Sequence, residues 1–323
     1  MLSPAQFGFI LEKVQNNFRL SPHSEISLEA NPGTVTLDSL RDLHSLGFNR
    51  ISLGVQSANP DELRQLERTH DYFDVTDAVN RARQAGFDNL NLDLIYGLPE
   101  QTLERWQTTV NQVLGLHPEH LSIYALTVEH GTPFGRWAQH GLLPTPDPDA
   151  AADMYEWAEE ELERVGFEQY EISNWAKPGR QCLHNLQYWR DLPYLGFGAG
   201  AHGCAMGLRI SNVLRIKTYI DRLNRIDLMP KFIFPLSPAT VNQIPISKYV
   251  EMQETLMTGL RLTREGVSAN DFAARFGVQM NSVFGRDIDE LISLSLLEWA
   301  GPILRLTKRG RLLGNQVFMH FVG

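Results

Sequence analysis

The chain predicts an α/β protein: a parallel sheet of repeated strand–helix units, followed by a small winged-helix-like α+β domain. Three observations carry this. Short β-type runs alternate with helix-period stretches over the first 130 residues. Strand starts at residues 25, 50, 90 and 121 leave room for one crossover each. From Ile246 onward the pattern changes to helices and then a hairpin.

The expected strands are residues 25–30, 50–55, 90–95 and 121–126. Between them, residues 37–46, 72–85 and 103–114 read as amphipathic helices, with Gly47 and Gly86 placed to close the first two. Residues 147–165 form an acidic amphipathic helix with Met154, Trp157, Leu162 and Val165 as its buried candidates, and residues 170–176 a short strand. In the C-terminal part, residues 249–262 are helical, residues 268–271 cap a helix over 272–276, and residues 281–294 make a third helix capped by Asn or Ser. A hairpin follows over 297–300 and 303–306, and residues 308–311 precede a last helix. The expected domains are therefore residues 1–245 and 246–323.

With 323 residues, 43% hydrophobic and 21% charged, the chain is long enough for a sizeable core and has no disordered or coiled-coil bias. Two cysteines, Cys182 and Cys204, make a disulfide framework improbable and fit a reducing cytoplasm. The start lacks a basic leader, and no apolar run is long enough to span a membrane. A net charge of −9 argues against a protein that coats nucleic acid. The segment from Ile246 holds nine basic and eight acidic residues, so the acidity lies in the rest. A winged helix can read DNA, yet the third helix sets Asp287, Asp289 and Glu290 against Arg286 alone, which repels phosphate. Its apolar residues Ile288, Leu291, Ile292 and Leu294 read as a docking face.

Polar residues gather where each strand ends: Glu29 with Asn31, Gln56 with Ser57, Asp93 with Tyr96, and Tyr124 with Thr127. Parallel sheets and β/α barrels bind ligands at the carboxyl ends of their strands. Two carboxylates on different strands with an amide between them suit a ligand that carries ammonium, ribose hydroxyls or a sulfonium. A second cluster pairs Cys182-x-His184 with His202-x-Cys204. Zinc accepts such ligands, although one-residue separations strain chelation. Haem is another reading, with imidazole or thiolate as axial ligand and Tyr188, Trp189, Tyr194 and Phe197 as flat apolar surface. Packing in the core is the third. The glycines of residues 196–202 fail the dinucleotide spacing and read as places where backbone approaches a ligand closely.

Glu-Ala-Asn-Pro-Gly at 29–33, Gly-Val-Gln-Ser at 54–57, Asn-Leu-Asp-Leu-Ile-Tyr-Gly-Leu-Pro at 91–99 and His-Asn-Leu-Gln-Tyr-Trp at 184–189 together resemble the radical S-adenosylmethionine coproporphyrinogen dehydrogenase superfamily, and within it the haem chaperone branch, HemW. The resemblance runs from about Leu2 to the C-terminus. It implies a partial radical S-adenosylmethionine barrel of the TIM type with a C-terminal winged-helix-like domain. It implies that Glu29, Gln56, Arg68 and Asp93 contact S-adenosylmethionine, with His202 near that site. It also implies that His184, Asn185, Tyr188, Trp189 and Cys182 serve haem. Family members hold a [4Fe–4S] cluster through a C-x-x-x-C-x-x-C loop, and this sequence has none, so it looks like a member without its first two βα units. The implied function is a haem-binding chaperone that delivers haem to an acceptor protein, membrane-associated acceptors included. The alternative is an oxygen-independent coproporphyrinogen III oxidase-like enzyme, for which the cluster cysteines are missing.

Overall fold

The structure is a computed structural model that describes residues 2–127, 136, 140, 147–224 and 232–322. The chain packs as two compact units that divide between Gln181 and Cys182. The expected boundary at residue 245 thus falls inside the second unit.

In the first unit β1 (Ser27–Ala30), β2 (Arg50–Gln56), β3 (Leu90–Tyr96) and β4 (His120–Ala125) run parallel and adjacent. The crossovers are α2 (Leu37–Ser45), then α3 (Pro60–Gln65) with α4 (Tyr72–Ala85), then α5 (Leu103–Leu114). α1 (Pro4–Asn17) precedes them, started by a reciprocal cap between Ser3 and Gln6. Thr36 and Asp71 cap α2 and α4 in the same way, and Gly86 ends α4 with φ at 104°. The core forms where Ile51, Leu53, Val55, Leu90, Leu92, Leu94, Leu121 and Ile123 meet the inner faces of the helices, among them Leu40, Val79, Trp106 and Val110. These strand residues are spaced by two, so the polar residues between them occupy the opposite face.

Residues 170–176 correct the expectation of one strand. β5 (Glu168–Glu171) and β6 (Asn174–Ala176) form an antiparallel hairpin, and β6 pairs antiparallel with β4, giving a six-stranded mixed sheet in the order β1-β2-β3-β4-β6-β5. α6 (Pro148–Arg164) buries Met154, Tyr155, Ala158 and Leu162. Trp157 is only partly buried, and Val165, past the helix end, is 40% exposed, because the helical stripe runs through Tyr155 and Ala158 instead.

The second unit opens with α7 (Leu183–Trp189) and a three-stranded antiparallel sheet of β7 (His202–Ala205), β8 (Leu208–Asn212) and β9 (Thr240–Pro245), with α8 (Ile216–Leu223) between the last two strands. Then come α9 (Lys248–Gly259), β10 (Val267–Ser268), α10 (Ala269–Phe276), α11 (Met280–Ser293), the hairpin β11 (Leu297–Ala300) and β12 (Ile303–Leu306), α12 (Lys308–Leu312) and α13 (Gly314–Met319). This is the expected winged-helix outline, packed around Phe272, Phe284, Ile288, Leu291 and Phe321. α11 begins one residue early, at a Gln279 that gives no side-chain cap, and Leu294 is 48% exposed rather than part of an apolar face. No helix among the described residues is long and apolar enough to cross a membrane.

Candidate ligand-binding site

The polar face of the parallel sheet is ordered by strand register. Glu29 lies beside Ser52, Ser52 beside Asn91, and Asn91 beside His120; one row on, Gly54 lies beside Asp93 and Asp93 beside Ser122. Over the end of β1 and β2 this face opens into a cavity of about 540 Å³ lined by Glu29, Asn31, Ser52, Gln56, Arg68 and Asp93, with apolar walls from Phe7, Leu28, Val35 and Leu43. Four predicted positions, Glu29, Gln56, Arg68 and Asp93, therefore meet in one space. Arg68 Nη1 donates to Asn31 Oδ1 at 3.4 Å, which ties the segment after α3 to the end of β1.

Gln56 ends β2 with φ at 69°, a left-handed conformation costly for a side chain other than glycine. The register slips between Gly54 and Gln56, so the strand bulges and aims the Gln56 amide at the cavity. Asp93 accepts from Ser52 Oγ at 2.8 Å and from Asn91 Nδ2 at 2.7 Å. Burial pushes its pKa up from the usual carboxylate value; hydrogen bonds from Ser52, Asn91 and Ser122 draw it back, and the negative charge of Glu29 raises it again. Two carboxylates and one guanidinium leave the cavity able to attract a cationic or hydroxyl-rich ligand.

The other strand-end residues part from the site. Ser57 is fully buried and donates to Glu62 Oε2 at 2.6 Å; Tyr96 packs with Trp106 on the helix side, ring centroids 5.7 Å apart. Thr127 is exposed; Tyr124, also exposed, is not part of the cavity lining, although its phenol is close enough to feel the charge of Asp93. His202 belongs to the second unit, where it begins β7 and is exposed. Gly196 does allow a close approach, but to the chain's own backbone: a Cβ there would lie 1.9 Å from the carbonyl oxygen of His202.

α7 divides the residues proposed for haem. The helical repeat stacks His184 on Tyr188, ring centroids 4.8 Å apart and edge to face, and Tyr188 meets Tyr194 at 4.6 Å. His184 and Phe197 are exposed, Tyr188 is half-buried, and Asn185 is partly buried beside them. Trp189 lies under the Arg261 guanidinium at 4.3 Å, so one of its faces is taken. Cys182 is buried at the N-cap of α7. The zinc reading is not supported, since among the described residues no three His, Cys, Asp or Glu side chains converge. The same observation, with only two cysteines in the sequence and both beyond residue 181, means that the residues present do not fit a [4Fe–4S] cluster.

Ser52, Asn91, His120 and Ser122 lie on the site face and were not singled out from sequence; their signal was alternation with the core residues of β2, β3 and β4.

Residues 3–113 match the family model of the radical SAM superfamily, and residues 246–313 match the HemN C-terminal domain. The chain is 39% identical over 323 residues to "Heme chaperone HemW" of Bacillus subtilis, covering 100% of this chain and 82% of that protein. It is 43% identical over 322 residues to the protein of the same name from Escherichia coli, covering 100% of this chain and 81% of that protein. "Radical S-adenosyl methionine domain-containing protein 1, mitochondrial" of Mus musculus is 35% identical over 301 residues, covering 92% of this chain and 67% of that protein. Among solved structures, coproporphyrinogen III oxidase (HemN) from Escherichia coli superimposes with a TM-score of 0.80 over 99% of this chain and 74% of that one; at 24% identity this shows a shared fold of the radical SAM type. The chain belongs to the HemW haem chaperone family of the radical S-adenosylmethionine superfamily.

Proposed function

We propose that this chain binds haem and delivers it to an acceptor protein, and that its first unit holds S-adenosylmethionine in the cavity at the sheet ends. The observation that carries the second part is the meeting of Glu29, Gln56, Arg68 and Asp93 around one cavity of about 540 Å³. Carboxylates accept hydrogen bonds from ribose hydroxyls and from an ammonium, an amide can both donate and accept, and a guanidinium balances the second carboxylate. When bound, adenosylmethionine supplies a sulfonium and an adenosyl group. No radical step is assigned to this chain, because its residues do not fit the cluster such a step needs. The HemN likeness bears on fold alone, so the oxidase reading gains no residue of its own.

For haem the supporting observation is the exposed His184 imidazole on α7, braced edge-on by Tyr188. Iron takes imidazole as an axial ligand, and a cargo that has to be released suits a ligand at the surface rather than an enclosed pocket. Asn185, Tyr188, Trp189 and Cys182 are proposed to shape the haem site, Cys182 being the competing axial ligand.

Haemin titration followed at the Soret band, on the parent chain and on His184→Ala and Cys182→Ser, separates these roles. A sharp shift at about one equivalent that changes in His184→Ala and persists in Cys182→Ser is expected. Identical spectra in both folded variants would remove α7 from the haem site. Equilibrium dialysis with adenosylmethionine tests the cavity, with Asp93→Asn expected to bind at least tenfold more weakly, about the worth of a charged hydrogen bond.

A further inference from the structure

A buried run of polar side chains continues from Asp93 away from the cavity, across three neighbouring strands to the hairpin. Its hydrogen positions follow from chemistry. Asn91 Nδ2, which can only donate, lies 2.7 Å from Asp93 Oδ1, so Asp93 accepts there. Asn91 Nδ2 also reaches Ser52 Oγ at 2.7 Å, and Ser52 in turn donates to Asp93 Oδ2 at 2.8 Å. The Asn91 carbonyl oxygen therefore points the other way, where it accepts from Ser122 Oγ at 3.1 Å and faces His120 Nδ1 at 2.6 Å. Nδ1 must carry the hydrogen. His120 is fully buried, and burial, with Arg50 nearby, holds its pKa well below the ordinary value, so the imidazole is neutral and Nε2 is bare. Tyr170 Oη, 2.9 Å from Nε2, is then the donor.

We propose that Asn91, His120 and Tyr170 are positioning residues for the Asp93 carboxylate: a one-way chain of donors, Tyr170 to His120 to Asn91 to Asp93, fixes the rotamer of the carboxylate and keeps it ionised at the cavity wall. The chain begins on β5, passes through β4 and β3, and ends on the carboxylate that lines the cavity. Every member spends its donor toward Asp93, which offsets the burial of a charge and the repulsion of Glu29 across the cavity. Among the described residues, Arg68 from the segment after α3 and Tyr124 from β4 are further ionisable groups near Asp93, and Arg50 from β2 and Tyr170 lie near His120.

What this carboxylate does for a ligand rests on the adenosylmethionine reading above, whereas its titration does not, and the tests divide accordingly. In the ligand-free chain, long-range ¹H–¹⁵N spectra of His120 should show the Nδ1–H tautomer; the Nε2–H tautomer would reverse the chain and overturn the proposal. The Asp93 carboxyl ¹³C shift, assigned with Asp93→Asn, should titrate about one pH unit higher in His120→Phe and Asn91→Ala. Tyr170→Phe removes one oxygen and should fold even if the others do not; it should shift the midpoint upward by a smaller amount. Superimposable titrations in Tyr170→Phe and in every other folded variant would sink the idea. Dialysis with adenosylmethionine then reads the link to the site, its acid limb moving upward with the carboxyl midpoint. A parent chain that binds no adenosylmethionine while the carboxyl midpoints still move would end the ligand reading and leave the chain of donors standing.

Discussion

Gly54 has space for a hydrogen and little more, since a Cβ there would lie 2.9 Å from Gln56 Nε2 and 3.7 Å from Asn31 Oδ1. The nearer atom ends a flexible side chain, so Gly54→Ala should displace the Gln56 amide and leave the backbone in place. Dialysis should show adenosylmethionine binding weakened about fivefold, near the worth of one hydrogen bond, while calorimetry shows little change in melting. His120 carries a pH dependence of stability. Its folded pKa lies well below the ordinary 6.5, so below that pH the unfolded chain takes up a proton that the folded chain refuses. The stability is complete above about pH 6.5 and falls as the pH drops, by up to about 1.4 kcal/mol per pH unit. Urea titrations between pH 7.5 and 5 should show that slope reduced in His120→Gln. Glu29, Gln56 and Asp93 were legible in the sequence because they interrupt apolar strands near their ends. Ser52, Asn91 and His120 were not, because alternation within a strand looks the same whether the polar face meets water or a cavity.

At the scale of elements, the turn after β2 is held by a buried lock. Ser57 Oγ donates to Glu62 Oε2 at 2.6 Å and accepts from the Asn59 amide at 2.9 Å, while Gln101 Nε2 donates to the same carboxylate oxygen at 3.1 Å. The lock joins α3 to the segment before α5 and sits next to the left-handed Gln56. Glu62→Ala strands two buried donors, so chemical denaturation should show a loss of about 2–4 kcal/mol, with adenosylmethionine binding weakened as Gln56 relaxes. A loss below about 0.5 kcal/mol would show that water replaces the carboxylate without cost. Helices 72–85 and 103–114 were legible to the residue, since capping residues and an apolar stripe mark both ends. The β5–β6 hairpin was not. Its turn at Ile172 and Ser173 has no glycine or proline, and the Glu171 side chain satisfies it by accepting from the Ser173 amide at 3.0 Å and from Asn174. A side chain doing the work of a turn leaves no sequence signal of the usual kind.

Across the whole molecule, the parallel sheet and the winged-helix outline were legible because periodicity survives in any single sequence; the division at residue 181 was not, because it depends on which elements touch. The described sheet ends at β1, and α1 beside it buries no residue and exposes Phe9 at 60% and Ile10 at 45%. This 323-residue chain should therefore self-associate as concentration rises, and Phe9→Glu with Ile10→Lys should suppress that in light scattering. The pairing of Gly54 with Asp93, and of Ser52 with Asn91, carries a further consequence. Because side chains alternate along a strand, sliding β3 by one residue would bring Leu92 and Leu94 to the cavity and bury Asn91 and Asp93 in the core. Ligand affinity and correct strand alignment are thus one property, and a ligand for the cavity acts as a selective weight on the native alignment. At one hundred times its dissociation constant, such a ligand adds about 2.7 kcal/mol to the native state and nothing to a slipped one. Adenosylmethionine present during refolding should accordingly raise the yield of soluble chain as well as its melting temperature, and Asp93→Asn should shrink both gains together.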